Sequence, residues 1–112
     1  METISLPELK KLIDSKSKLC LLIDVRTPEE VLQGMIPTAH HLPIDELEDA
    51  LSMNAGSFEK QYHFPFPRKE QLLIFYCHSG TRSAFAVSLA AQKGYHAKNL
   101  EGNVEEWNEF TA

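Results

Sequence analysis

LLIFYCHSGTRS, residues 72–83, is an apolar run of five residues followed by a short polar loop. A near-continuous apolar run of this length is typical of a strand buried on both faces of a parallel sheet. A second run, residues 19–25 (LCLLIDV), has the same character. Weaker strand predictions fall on residues 3–4, 39–42 and 97–100.

Helix signals lie between these strands. Ser5 and Thr27 each begin a capping box with a glutamate three residues later, and Pro28 occupies a first helical position. The other helices are predicted over residues 45–51, 57–62 and 83–93, the last ended by Gly94, and after Asn103. Alternating strands and helices predict an α/β fold with a central parallel sheet of about five short strands, flanked by helices on both faces.

Composition limits the classes of function. The 112 residues, expected to form one domain over residues 1–112, carry 16 acidic and 11 basic side chains, a net charge of −5. An acidic balance without a basic cluster argues against binding to nucleic acid or to an anionic membrane surface. No apolar run is long enough to span a bilayer, and no targeting segment is visible, so we expect a cytoplasmic protein. Two cysteines do not suggest a disulfide framework, which agrees with a reducing compartment.

The loop after the apolar run, residues 77–83 (CHSGTRS), carries the chemistry. Ligands of parallel sheets bind at the carboxyl ends of the strands, which is where this loop begins. Inward backbone N–H groups, the N-terminus of the following helix and the charge of Arg82 all favour a thiolate at Cys77. Gly80 permits the unusual backbone geometry of such a loop. Cys20, by contrast, lies inside an apolar strand without a neighbouring charge, and we predict that it belongs to the core.

Four segments of the chain resemble the single-domain rhodaneses. These are residues 23–30 (IDVRTPEE), residues 34–43 (GMIPTAHHLP), the loop 77–83, and a closing segment that includes residues 94–95, 100–103 and Trp107. The resemblance covers nearly the whole chain. Residues 47–62 and the Cys-x-x-Gly-x-Arg loop are most similar to the small thiosulfate:glutathione sulfurtransferase type.

The resemblance implies transfer of sulfane sulfur from thiosulfate or a related donor. Cys77 would carry the sulfur as a persulfide and pass it to glutathione, another thiol or cyanide. A thioredoxin-like protein is a further candidate partner, and neither a cofactor nor a metal is expected. Arg82 would hold the sulfonate oxygens of the donor through its planar fork. The side chains and N–H groups that complete the substrate site would come from His78, Ser79, Gly80 and Thr81.

Other functions remain open at this point. Four residues separate Cys77 from Arg82, whereas the related phosphatases and arsenate reductases have five and a wider loop. The shorter loop therefore favours sulfur over phosphate. A non-catalytic module is disfavoured because both residues are intact. A persulfide carrier, or a redox-sensing binding module acting on a protein partner, shares the first half-reaction and cannot be separated from an enzyme by sequence.

Several side chains receive structural interpretations. We predict a salt bridge between Arg26 and Glu30 and a structural hydrogen bond for His41. Trp107 and Phe110, at helical spacing, should pack in the core. For the pair Phe64 and Phe66 the sequence leaves open whether they rim the active site or form a partner surface.

Three residues depart from the rhodanese pattern. Met35 stands where histidine is common, Thr38 where glycine is common, and Asn103 where a second glycine is usual. All three lie outside the catalytic loop, so they affect local turns and not the chemistry. Asparagine tolerates left-handed backbone geometry and can also cap a helix, which makes Asn103 an understandable replacement.

Overall fold

A single five-stranded sheet forms the centre of the computed structural model, which describes residues 1–112. The strands are β1 (Thr3–Ile4), β2 (Cys20–Asp24), β3 (His40–His41), β4 (Leu72–Tyr76) and β5 (His96–Leu100). All strand pairs are parallel, in the order β1-β5-β4-β2-β3, so the apolar run that precedes Cys77 is the middle strand. The predicted α/β fold with a five-stranded parallel sheet is confirmed.

Six helices connect the strands, and both predicted capping boxes form, at Ser5 and at Thr27. The fifth helix begins two residues earlier than predicted, because Gly80, with φ of 90°, ends the loop after Cys77 there. None of the six combines the length and apolar character of a membrane-spanning segment. The helices are α1 (Leu6–Asp14), α2 (Pro28–Val31), α3 (Ile44–Ala50), α4 (Ala55–Tyr62), α5 (Thr81–Gln92) and α6 (Val104–Thr111).

Alternate side chains of β4 enter two separate hydrophobic clusters, one on each face of the sheet. Leu73 and Phe75 pack with residues of α3, α4 and α5, whereas Ile74 and Tyr76 pack with residues of α1 and α6. This two-residue alternation is the reason that the strand is apolar throughout. The larger cluster lies under the helix that follows the Cys77 loop, and it therefore supports that loop from below.

Two predicted core positions differ from the structure. Trp107 is buried as predicted, but the prediction for Phe110 is wrong: Phe110 is 42% exposed, and its ring centroid lies 6.3 Å from that of Trp107. Cys20 is only partly buried, at the margin of the smaller cluster, because it is the first residue of β2. A terminal strand position receives less cover from the helices than a central one.

The aromatic residues before β4 form part of the core. Phe64 is 4% exposed and stacks on His40 with ring centroids 4.3 Å apart. The Phe58 ring meets Phe64 and Phe66 edge-on, at 5.1 Å and 5.2 Å. These contacts place Phe64 and Phe66 against the larger hydrophobic cluster, so neither of the two roles that the sequence left open is needed to explain them.

Thr38 occupies a turn whose backbone suits glycine. Its φ is 74°, in the left-handed region, which costs a non-glycine residue about 1–2 kcal/mol. We expect Thr38→Gly to raise the free energy of unfolding by about 0.5–1 kcal/mol, the relief of strain less the greater entropy of an unfolded glycine. Urea denaturation measures this change. A destabilised Thr38→Gly protein would show that the turn is not strained.

Candidate active site

Cys77 follows β4 directly, and its side chain is almost wholly buried, with the residue 1% exposed. The backbone N–H of Gly80 donates to its Sγ at 3.1 Å, and that of Ser83 at 3.4 Å. The hydroxyl of Ser83 lies 3.3 Å from the same sulfur. These donors converge because the loop turns back over the cysteine and α5 begins beside it. The arrangement is suited to stabilise a sulfur anion.

The pKa of Cys77 reflects two opposing effects. Burial raises it, because a charge in an apolar environment is poorly solvated. Hydrogen bonds from the Ser83 hydroxyl and from the backbone N–H groups of Ser83, Gly80 and Arg82 lower it, and their combined effect is the larger. The pKa of Cys77 is therefore lowered from its ordinary value. This is the property expected of a nucleophilic cysteine.

Arg82 is held by a carboxylate from a different helix. Its two terminal nitrogens donate to the two oxygens of Glu30 at 2.7 Å and 3.0 Å, a bidentate pair in which each side chain is 33% exposed. The same carboxylate accepts from the N–H and hydroxyl of Thr27 in the capping box of α2. Glu30 therefore connects the start of α2 to the start of α5 and fixes the direction of the Arg82 side chain.

The predicted salt bridge between Arg26 and Glu30 is wrong. Arg26 instead pairs with Asp24, its Nε donating at 3.0 Å and one terminal nitrogen at 2.7 Å, and that nitrogen also donates to the carbonyl of Gly34. Residues two apart in an extended segment project to the same side, which brings this pair together. Asp24 is completely buried, so the pairing satisfies a charge that could not otherwise remain there. The predicted structural hydrogen bond of His41 is confirmed, since its Nε2 lies 2.7 Å from the carbonyl oxygen of Arg26.

Two asparagines hold carbonyl groups of the catalytic loop. Asn99, in β5, donates to the carbonyl of Gly80 at 3.2 Å, and Asn103 donates to that of His78 at 3.1 Å. The hydroxyls of Ser79 and Thr81 lie 3.4 Å apart at the loop surface. Among the predicted loop residues, Gly80 and Arg82 direct backbone N–H groups at the Cys77 sulfur. His78, Ser79 and Thr81 are exposed and make no hydrogen bond to it.

Two cavities flank the loop. The smaller, about 100 Å³, is lined by Cys77 and lies between the loop, the turn at Gly34 and the start of α6. The larger, about 530 Å³, runs along the other flank of the loop, beside β5. His78 lines both cavities. Small polar molecules can therefore approach the loop from two sides.

The comparisons with known proteins agree with this geometry. Residues 5–110 match the rhodanese-like domain family. The chain belongs to this family. It is therefore a rhodanese whose loop cysteine, Cys77, lies at the carboxyl end of the middle strand.

Relatives of this rhodanese include named sulfurtransferases. It is 41% identical over 109 residues to the human thiosulfate:glutathione sulfurtransferase, covering 96% of this chain and 93% of the relative. It is 32% identical to the mitochondrial thiosulfate sulfurtransferase RDL2 of Saccharomyces cerevisiae, covering 89% and 68% of the two chains. The structure of the human single-domain sulfurtransferase TSTD1 is similar, with a TM-score of 0.90, 40% identity, and coverage of 97% and 96%.

The sequence does not predict the hydrogen bonds of three side chains near the loop, those of Glu30, Asn99 and Asn103. Glu30 was expected to pair with Arg26, because both follow the same strand. The sequence predicts that Asn103 caps a helix. That role uses only the side-chain oxygen, so it does not reveal that the side-chain nitrogen donates to the His78 carbonyl. The signal for Asn99 was available, since asparagine is depleted in strands and its presence near the end of β5 needs a reason.

The pair between Glu30 and Arg82 predicts how stability depends on pH. The Arg82 guanidinium, together with Thr27, lowers the pKa of Glu30 from 4.5 to about 2. A carboxylate with a depressed pKa stabilises the folded state above the unfolded pKa, and the contribution is lost as pH falls through the folded pKa. We therefore expect the difference in free energy of unfolding between wild type and Glu30→Gln to shrink between about pH 4.5 and about pH 2.

Urea denaturation across this pH range measures the difference. Glutamine at position 30 keeps the capping-box residue type, so the start of α2 is preserved. Glu29→Gln is the matched control, because Glu29 lies exposed on the same helix without an ion pair. If the difference in free energy of unfolding between wild type and Glu30→Gln stays constant with pH, the ion pair does not have this role in stability.

Proposed function

We propose that this rhodanese, one domain over residues 1–112, is a sulfurtransferase that uses thiosulfate or a related donor. Cys77 carries the sulfur as a persulfide and passes it to a thiol such as glutathione, or to cyanide. The observation that supports this proposal most directly is the set of hydrogen-bonding groups of Gly80 and Ser83 around the Cys77 sulfur. The names of the human and yeast relatives support the same reaction and substrates.

In the first half-reaction, the Cys77 thiolate attacks the outer sulfur of thiosulfate. A disulfide-type S–S bond forms, the bond between the outer sulfur and the sulfonate group breaks, and sulfite leaves with the electron pair. The negative charge passes to the terminal sulfur of the persulfide. N–H groups of the loop, including those of Ser79, Gly80 and Thr81, are suited to stabilise this charge.

In the second half-reaction, an acceptor thiolate attacks the terminal sulfur of the persulfide. The S–S bond within the persulfide breaks, the acceptor leaves as a persulfide, and the Cys77 thiolate is restored. The hydrogen bonds that lower the pKa of Cys77 also make its thiolate a better leaving group. The same contacts therefore assist both halves of the cycle.

Steady-state kinetics with thiosulfate and glutathione test this proposal. Because a covalent intermediate separates two half-reactions, double-reciprocal plots at several glutathione concentrations should be parallel. Release of sulfite should require thiosulfate but not depend on glutathione in the first turnover. Intersecting lines, or no sulfite at all, would contradict a persulfide enzyme with these substrates.

Arg82 is proposed to attract the sulfonate group of the donor. Its guanidinium has five N–H donors, of which Glu30 uses two, so three remain. A lysine ammonium is a single point charge without the planar fork of arginine, so it cannot hold both Glu30 and the donor in the same way. We therefore expect Arg82→Lys to raise the KM for thiosulfate about tenfold. Arg68→Lys, at an exposed position, is the matched control. An unchanged KM would remove Arg82 from donor binding.

The partner and the location are proposed as well. Cys77 and Cys20 are both free thiols, as expected in a reducing compartment, and we propose a cytoplasmic location. The mitochondrial relative makes the mitochondrion the alternative, which fractionation of cells would decide. The side chains of His78, Ser79 and Thr81 are exposed or line the flanking cavities, which leaves room for a thioredoxin-like protein as acceptor. Kinetics with such a protein in place of glutathione would test it.

A further inference from the structure

The side chain of Asn103 makes two contacts that connect α6 to the catalytic loop. Its Oδ1 accepts from the backbone N–H of Glu106 at 2.9 Å, the ordinary contact of a helix cap. Its Nδ2 donates to the carbonyl oxygen of His78 at 3.1 Å, 25 residues earlier in the chain. Capping α6 needs only the first contact. The second contact therefore serves the loop.

The carbonyl that Asn103 holds lies beside the peptide unit that contacts the catalytic sulfur. The N–H of Gly80 donates to Cys77 Sγ at 3.1 Å. The preceding peptide unit carries the carbonyl of His78, held by Asn103, and the following unit carries the carbonyl of Gly80, held by Asn99. Because each peptide unit is planar, a held carbonyl fixes the orientation of its whole unit. The Gly80 N–H is thus fixed from both sides.

We propose that Asn103 is a positioning residue for sulfur transfer, holding the His78 carbonyl so that the Gly80 N–H stays directed at the Cys77 sulfur. The contact favours the charged forms of that sulfur, the thiolate and the persulfide. The role in transfer rests on the proposed function. The effect on the thiolate does not, and it can be measured without any sulfur donor.

Serine at position 103 separates the two contacts. Its hydroxyl can accept from the Glu106 N–H, as Ser5 accepts from Glu8 in α1, and serine equals asparagine as a cap. The hydroxyl ends short of the His78 carbonyl, and the amide donor is gone. Asn54→Ser is the matched control, since Asn54 caps α4 through Ser57 at 2.9 Å and does not contact the loop.

The rate of Cys77 alkylation by iodoacetamide, followed as a function of pH, tests the proposal. Mass spectrometry of the two cysteine peptides separates Cys77 from Cys20. For Asn103→Ser we expect the midpoint of the pH profile to move to higher pH. The rate at neutral pH should fall about threefold to tenfold, as part of one charge-assisted hydrogen bond is lost. Asn54→Ser should match the wild type.

The outcomes separate this inference from the proposed function. A wild-type alkylation profile in a folded Asn103→Ser protein would overturn the positioning role. If Asn103→Ser fails to fold, Asn103→Thr decides by the same measurement, since Thr27 shows that threonine caps a helix in this protein. Failure of both variants to fold would overturn the role in favour of a purely structural one. If the wild type transfers no sulfur, the proposed function fails, and the alkylation profiles still decide the role of Asn103.

Discussion

Replacing Cys77 by serine should abolish the release of sulfite from thiosulfate, lowering the rate by at least about a thousandfold. A serine hydroxyl is not ionised at neutral pH, and no general base lies within hydrogen-bond distance of the sulfur position to activate it. The serine hydroxyl can accept hydrogen bonds from the N–H groups of Gly80 and Ser83, so the variant should remain folded. Sulfite release and thermal denaturation, measured on the same preparation, test both expectations.

Cys20→Ser is the matched control for this prediction. Cys20 is the first residue of β2, whereas Cys77 follows the last residue of β4, so the two cysteines lie at opposite ends of paired strands. We expect Cys20→Ser to retain sulfite release and to lose a small part of its stability, because Cys20 is partly packed in the smaller cluster. Retained activity in Cys77→Ser, or lost activity in a folded Cys20→Ser, would reassign the nucleophile.

Ser83→Ala should have the next largest effect. The Ser83 hydroxyl lies 3.3 Å from the Cys77 sulfur, donates to it when the sulfur is a thiolate, and belongs to a completely buried residue. A hydrogen bond to a charged group contributes about 1.5–3 kcal/mol, so its loss should lower kcat/KM at neutral pH about tenfold or more. The pKa of Cys77 should rise, and the activity lost at neutral pH should return in part as pH is raised.

The pH profile of kcat/KM distinguishes this effect from a general loss of activity. Ser88→Ala, an exposed substitution on the same helix, is the control and should leave the profile unchanged. Alanine fits the space of Ser83, and the Ser83 hydroxyl makes no hydrogen bond other than the one to Cys77. The variant should therefore remain folded. A Ser83→Ala profile with lower activity but the wild-type midpoint would contradict the role of the hydroxyl in thiolate formation.

The middle of the sheet and the loop after it were predictable from the sequence. A near-continuous apolar run is typical of an interior strand of a parallel sheet, and both such runs, β2 and β4, are interior strands here. Capping residues then determine where helices begin, and Ser5 and Thr27 do so through boxes that form as predicted. Because Cys77 comes directly after an interior parallel strand, its position at the carboxyl edge of the sheet was predictable.

The contacts of charged and polar side chains were less predictable. Arg26 had two carboxylates within reach along the chain, and the choice of Asp24 depends on burial, which sequence does not display. Glu30 was then free to pair with Arg82, 52 residues later, a contact that exists only once α2 and α5 are placed side by side. Phe110 follows the helical spacing of Trp107 but lies in the last turn of α6 and is 42% exposed.

The departures from the rhodanese pattern have different physical outcomes. Thr38 accepts a left-handed backbone that glycine would adopt without strain. Asn103 does not adopt left-handed backbone, since its φ is −134°. What it contributes is the side-chain hydrogen bond that glycine could not make. One departure therefore costs stability in a turn, and the other adds a contact to the catalytic loop.

The intact mass of the protein after incubation with thiosulfate tests the central claim most directly. A persulfide at Cys77 predicts a gain of one sulfur atom in wild type, lost on treatment with a reductant and absent in Cys77→Ser. Cys20→Ser should gain the sulfur as wild type does. A folded wild-type protein that gains no mass, or a gain that persists in Cys77→Ser, would contradict sulfur transfer through Cys77.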